Sequence, residues 1–128
     1  MKENSDNYSE EVRELAKNPK HFGRMNDPSA SAYLKGICGD DMEFYLLIKD
    51  KTIEDIMFYT ETGCEGTKVC GSIVAQIAIG KPINEAMDIS PNKILEALNY
   101  GLHENHHHCA ILAASTFYKA ITYFLLKH

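Results

Sequence analysis

From Cys109 onward the chain runs Ala110-Ile111-Leu112-Ala113-Ala114-Ser115-Thr116-Phe117-Tyr118-Lys119-Ala120-Ile121-Thr122-Tyr123-Phe124-Leu125-Leu126, its longest apolar stretch. A helix from about His108 to Leu126 is apolar almost all round, and such a helix belongs at the centre of a fold. Ser115, Thr116, Lys119 and Thr122 interrupt it. It therefore falls short of the ~18 uninterrupted apolar residues of a membrane span. The rest of a 128-residue chain must cover it.

The cover is written in two periods. Met42, Phe44, Leu46 and Ile48 alternate strictly, the mark of a half-buried strand. A first strand is expected over Tyr33–Ile37, and a third, with Ile56 and Phe58 on one face, running to about Thr62. Asp50-Lys51 sits where a hairpin turn belongs. Helical spacing precedes the strands in Val12, Leu15 and Ala16, with Ser9 as N-cap and Asn18-Pro19 as the stop. It returns after Gly63-Cys64 in Val69, Ile73, Val74 and Ile77, until Gly80-Lys81-Pro82 ends that helix. Ile83–Met87 allows one or two turns. Ser90-Pro91 then starts another helix, with serine as cap and proline in the first turn. The expected fold is α+β: a three-stranded antiparallel sheet, an N-terminal helix, and several C-terminal helices packed on the sheet. One domain over 1–128 is expected, with residues 1–7 as a disordered lead.

The formal net charge of −5 points away from a nucleic-acid binder, which carries a basic patch. The first residues lack the apolar core of a signal peptide. The expected location is cytoplasmic, with no membrane or nucleic-acid partner. In that compartment the four cysteines are expected as thiols serving metal or redox chemistry, not as disulfides.

Three segments carry that chemistry. Leu102-His103-Glu104-Asn105-His106-His107-His108-Cys109 holds four of the six histidines and feeds the apolar helix. Cys38-Gly39-Asp40 places a thiol and a carboxylate at a tip between strands. Cys64 lies between a strand end and a helix start, where backbone N–H groups and the helix dipole favour a thiolate. Taken alone, Cys38 and Cys64 read equally well as small buried residues. No C-x-x-C pair is present, so convergence depends on the fold. Thiolates with a carboxylate or imidazole suit either an iron–sulfur cluster or zinc. Cys70, six residues beyond Cys64 on a helix, turns to another face and is expected in the core. His103, His106 and His107 are expected in a solvated loop, with a second zinc-type site left open.

Together these residues resemble the iron–sulfur cluster assembly scaffold family of the IscU and NifU N-terminal type. The similarity covers Tyr8 to Leu126. It rests on Asn18-Pro19 followed by Gly23, on Cys38-Gly39-Asp40 with Met42, and on Ile53-Glu54-Asp55 leading to Gly63-Cys64. It continues through Gly80-Lys81 with Glu85-Ala86 to His108-Cys109-Ala110-Ile111-Leu112-Ala113.

The resemblance implies cluster cysteines at Cys38, Cys64 and Cys109, with Asp40 and His108 as further ligands. It implies a non-enzymatic function: building a transient [2Fe-2S] cluster from iron and sulfur supplied by a cysteine desulfurase, then passing it to apo iron–sulfur recipient proteins. Zinc is a possible occupant of the isolated protein. The alternative within the same fold is a zinc-bound sulfur acceptor using one persulfide cysteine, with Cys109 the candidate. One departure stands out. The Leu-Pro-Pro-Val-Lys segment that binds an Hsp70-type chaperone in the IscU branch is replaced by Leu102-His103-Glu104-Asn105-His106, which puts that partner in doubt. His106 stands in the lysine's place, where it could act as a metal or proton ligand.

Overall fold

A computed structural model of the chain describes residues 10–37, 39–98 and 106–127. The expected lead over residues 1–7, the Ser9 cap, Cys38 and His103 lie outside the described residues. The elements run α1 (Glu10–Lys17), β1 (Ala30–Lys35), β2 (Asp41–Lys49), β3 (Thr52–Tyr59), α2 (Glu65–Ala78), α3 (Ile83–Ala86), α4 (Pro91–Ala97) and α5 (His107–Lys127). The three strands form an antiparallel sheet in the order β1-β2-β3, as the sequence predicts.

The sheet's register follows from its side chains. Met42, Phe44, Leu46 and Ile48 all point into the core, as alternation requires. Lys49 pairs with Thr52 across a two-residue turn, in which Asp50 and Lys51 have φ 51° and 61°. Positive φ at both central residues is the hairpin turn that matches strand twist. Just beyond it the register slips: Leu47 faces Asp55 but Ile48 faces Ile53. The bulge lets Ile53 and Ile56, three positions apart, both point inward. The third strand therefore begins at Thr52, ahead of the clean alternation at Ile56 and Phe58.

The first strand also differs from expectation. It spans Ala30–Lys35 and stops before Ile37, whose side chain is 99% exposed in the following turn. Its buried residues are Ala30 and Ala32, a weak hydropathy signal, with Leu34 on the same face partly buried against the core. The two small alanines let α5 lie close against β1. Beyond the strand, Gly36 N–H donates to the Asp40 carbonyl (2.7 Å) and Gly39 N–H to the Gly36 carbonyl, closing a tight turn with Gly39 at φ 91°.

The loop after α1 covers the free edge of the sheet. Phe22 bridges Phe58 in parallel, with Gly23 N–H donating to the Phe58 carbonyl and Phe58 N–H to that of His21. Ser72 on α2 bonds both the N–H and the carbonyl of Lys20. An open edge strand invites unwanted pairing, and this loop blunts it.

α2 packs on α1, β3 and α5. It ends as expected: Gly80 takes φ 83° and its N–H donates to the Ile53 carbonyl. Ser90 caps α4 by accepting from Lys93 N–H, with Pro91 in the first turn. α5 meets β1, β2, α2 and α4, and Phe117 sets its ring edge-on to Phe44 at 5.7 Å.

α5 departs from the expectation of a helix buried all round. Cys109, Ala110, Leu112, Ala113, Ala114, Thr116, Phe117, Ala120 and Ile121 are buried, while Ile111 and the last turns through Leu125 and Leu126 face outward. By length and composition alone it could cross a membrane, yet half of its apolar window is packed inside the protein.

Candidate metal centre

Three chain segments meet at one end of the sheet. The β1–β2 turn brings Asp40. The link from β3 to α2 brings Cys64, the N-cap residue of α2, with extended backbone and no side-chain cap bond. The start of α5 brings His106, His108 and Cys109.

The link carrying Cys64 is held in place by its neighbours. Asp41 Oδ1 accepts from the Thr60 hydroxyl (2.9 Å), Glu61 N–H (2.9 Å) and Thr62 N–H (3.1 Å). The Thr62 hydroxyl donates to the Gly39 carbonyl, and Gly63 N–H to the Thr60 hydroxyl. Burial alone would push the Asp41 carboxyl up. The N–H groups of Thr62 and Glu61 and the Thr60 hydroxyl outweigh it and hold the carboxyl below the usual range. Gly63 has no room for a side chain, because a Cβ there would lie 2.4 Å from the Thr60 hydroxyl oxygen. One buried carboxylate thus ties the turn carrying Asp40 to the link carrying Cys64.

At the centre, Cys64 Sγ lies 3.9 Å from Cys109 Sγ, 3.6 Å from Asp40 Oδ2 and 3.5 Å from His106 Nδ1. Cys109 Sγ lies 3.7 Å from His108 Nε2, which is 4.0 Å from Asp40 Oδ2. The Thr67 hydroxyl donates to Asp40 Oδ2 (2.7 Å) and touches both sulfurs, at 3.6 and 3.5 Å. The donor atoms form two triads, Cys64–His106–Cys109 and Asp40–His108–Cys109, with atoms in each within 4.8 Å of one another. Two thiols, a carboxylate and two imidazoles are a donor set for zinc or for iron–sulfur chemistry.

The two thiols differ. Cys64 is half-buried at the N-terminus of a helix, and the Cys109 thiol donates to it, so its pKa is pushed down to about 4 against burial, with help from Thr67 and His106. The same bond and complete burial push the Cys109 thiol far up. Cys64 Sγ also stands in donor geometry to Asp40 Oδ2, so a cation at this point would take the place of the thiol proton between sulfur and carboxylate.

Of the residues singled out from sequence, Asp40, Cys64, His108 and Cys109 come together, while Cys38 lies outside the described residues. Cys70 is fully buried in α2, as expected, and burial raises its thiol pKa. His106 was expected in a solvated loop. It is half-buried against Cys64, because Gly66 in the first turn of α2 leaves space for its ring. Thr67 and Asp41 gave no separate signal: a threonine three residues after a cysteine and the second of two aspartates are ordinary.

A small sheet flanked by helices, with this donor cluster at one end, defines an α+β domain with a candidate metal site. The NifU-like N terminal domain family model matches residues 7–128, and the chain belongs to that family. It is 35% identical over 122 residues to iron-sulfur cluster assembly scaffold protein IscU 1 of Archaeoglobus fulgidus, covering 94% of this chain and 78% of that protein. It is 34% identical over 119 residues to the Escherichia coli K12 scaffold protein IscU, covering 89% and 91%. The crystal structure of the N-terminal part of a nitrogen-fixing NifU-like protein from Brucella abortus shares the fold. Its TM-score is 0.74 at 19% identity, over 97% of this chain and 98% of that one.

Proposed function

We propose that the chain is an iron–sulfur cluster assembly scaffold that builds a transient [2Fe-2S] cluster and passes it to apo-proteins. The observation that carries this reading is the convergence of Cys64 and Cys109 with Asp40 and His108 at one end of the sheet. The named relatives are scaffold proteins, which supports the same role.

The chemistry asked of the chain is to receive, hold and release. Cys64, partly exposed at a helix N-terminus, is the better nucleophile toward the outer sulfur of a desulfurase persulfide. Its sulfur bonds the incoming atom while the partner's thiolate leaves. Cys109, the persulfide candidate of the sulfur-acceptor alternative, is fully buried, which disfavours it for this step. Iron is bound by the same donors, with Cys38 completing the thiolate set. Asp40 and His108 are harder, more exchangeable ligands than thiolate, which favours release over storage. The Thr67 hydroxyl holds the Asp40 carboxylate beside the two sulfurs, which it also touches. These roles require no covalent catalysis on a small-molecule substrate. The turn lined by Gly36 and Ile37 beside Asp40 and His108 forms an open, mostly apolar cavity of about 250 Å³, suited to a partner's approach.

The test is cluster transfer. The protein is incubated anaerobically with a cysteine desulfurase, cysteine, a thiol reductant and ferrous iron, then mixed with an apo [2Fe-2S] acceptor. Rapid appearance of the acceptor's spectrum is expected for wild type. Asp40→Ala should hold its cluster longer and transfer it more slowly. Acceptor loading no faster than with iron and sulfide alone would sink the reading.

A further inference from the structure

We propose that His106 is a metal ligand of this chain, completing with Cys64 and Cys109 a nitrogen–sulfur site for one divalent ion, zinc or ferrous iron. The inference deepens the scaffold reading and rests on it only for the ion's eventual use.

Geometry distinguishes the two triads. A tetrahedral ion with bonds of about 2.3 Å to sulfur and about 2.0 Å to imidazole nitrogen places two sulfurs roughly 3.8 Å apart, and sulfur and nitrogen roughly 3.5 Å apart. Cys64 Sγ and Cys109 Sγ are 3.9 Å apart, and Cys64 Sγ and His106 Nδ1 are 3.5 Å apart. Two edges of a metal tetrahedron, both meeting at Cys64 Sγ, are already at bonding dimensions, and all three donors lie within 4.8 Å of one another. In the other triad, His108 Nε2 and Asp40 Oδ2 are 4.0 Å apart, wider than the roughly 3.3 Å expected of nitrogen and oxygen on one tetrahedral ion.

The packing around His106 is a separate observation. Gly66 opens α2 directly opposite the ring, and a Cβ there would stand 2.9 Å from His106 Cβ and 3.0 Å from Nδ1. The helix start is shaped to admit this imidazole. Its ring also lies nearly parallel to that of His108, at 6.4 Å and 28°. Binding would use the Nδ1 lone pair and leave the proton on Nε2. Cys64 and Cys109 would both bind as thiolates, the Cys109 proton passing to solvent or buffer.

The test is anaerobic titration of the purified protein with cobalt(II), read by absorption, and competition for zinc against a chromophoric chelator. Wild type, His106→Ala and His107→Ala are compared, with circular dichroism as the control on folding. Wild type should show thiolate-to-cobalt absorption and the d–d bands of a tetrahedral ion. His106→Ala should shift the d–d bands and weaken zinc binding by about 10-fold or more, while His107→Ala leaves both unchanged. A His106→Ala protein with wild-type affinity and spectrum overturns the proposal, as does an equal loss in His107→Ala. Cluster assembly on the same proteins separates this proposal from the scaffold reading. Unchanged metal binding with normal assembly removes His106 alone. His106-dependent metal binding without any assembly removes the scaffold reading alone.

Discussion

Asp41 shows how one side chain can prepare a site without belonging to it. Its single oxygen Oδ1 takes three donors from the Thr60–Thr62 stretch and so sets where Cys64 stands. Asp41→Ala leaves the Glu61 and Thr62 N–H groups without that acceptor and should cost about 3 kcal/mol in urea unfolding. Asp41→Asn keeps an acceptor oxygen and should cost clearly less. Glu43 provides the pH-dependent counterpart. Its two oxygens accept from Arg24 Nε and Nη2, both at 3.1 Å, and that pairing holds its carboxyl below the usual range. A depressed carboxyl contributes stability fully above its unfolded pKa and loses it as pH falls through the folded one. Acid unfolding of Arg24→Ala should therefore show a smaller fall in stability across the carboxylate range than wild type. Arg24 is half-exposed, so the difference should be modest and shrink at high salt.

At the scale of elements, α2 fits the sheet through a missing side chain. A Cβ on Gly71 would lie 2.4 Å from Phe58 Cδ2, inside the core and against an aromatic ring. Gly71→Ala should lower stability by about 1–3 kcal/mol in thermal or urea unfolding, although alanine is the better helix former. The elements whose inward faces are large were legible in the sequence. β2 follows from Met42, Phe44, Leu46 and Ile48, and α4 from Ser90-Pro91. β1 begins ahead of where hydropathy marks it, because the first residues of its inward face are Ala30 and Ala32 and only Leu34 on that face is large. β3 was started late because the bulge breaks the alternation between Ile53 and Ile56. Within the centre, thiols, carboxylate and the histidine beside Cys109 stood out by residue type. His106 stood out only through the resemblance, as the residue in the lysine's place, and Thr67 not at all, because their contacts join α2 to the start of α5, which no local pattern encodes.

Across the whole molecule, the long helix does two jobs. Its first turns present His108 and Cys109 to the centre, and its middle, around Phe117, fills the space between sheet and helices. Phe117→Ala should cost about 3–5 kcal/mol of stability and loosen the site with the core, seen as weaker zinc binding alongside a lower unfolding midpoint. Cys64→Ser, at a partly exposed position, should instead leave the fold nearly unchanged and remove the site alone. The most direct measurement is therefore anaerobic reconstitution of wild type and Cys64→Ser with ferrous iron, a desulfurase, cysteine and a thiol reductant, followed by visible absorption and iron and sulfide analysis. The account predicts a sulfide-to-iron chromophore with iron and sulfide in equal amounts on wild type, and its loss in a folded Cys64→Ser protein. A wild type that stays colourless, or a Cys64→Ser protein that assembles the same chromophore, would contradict it.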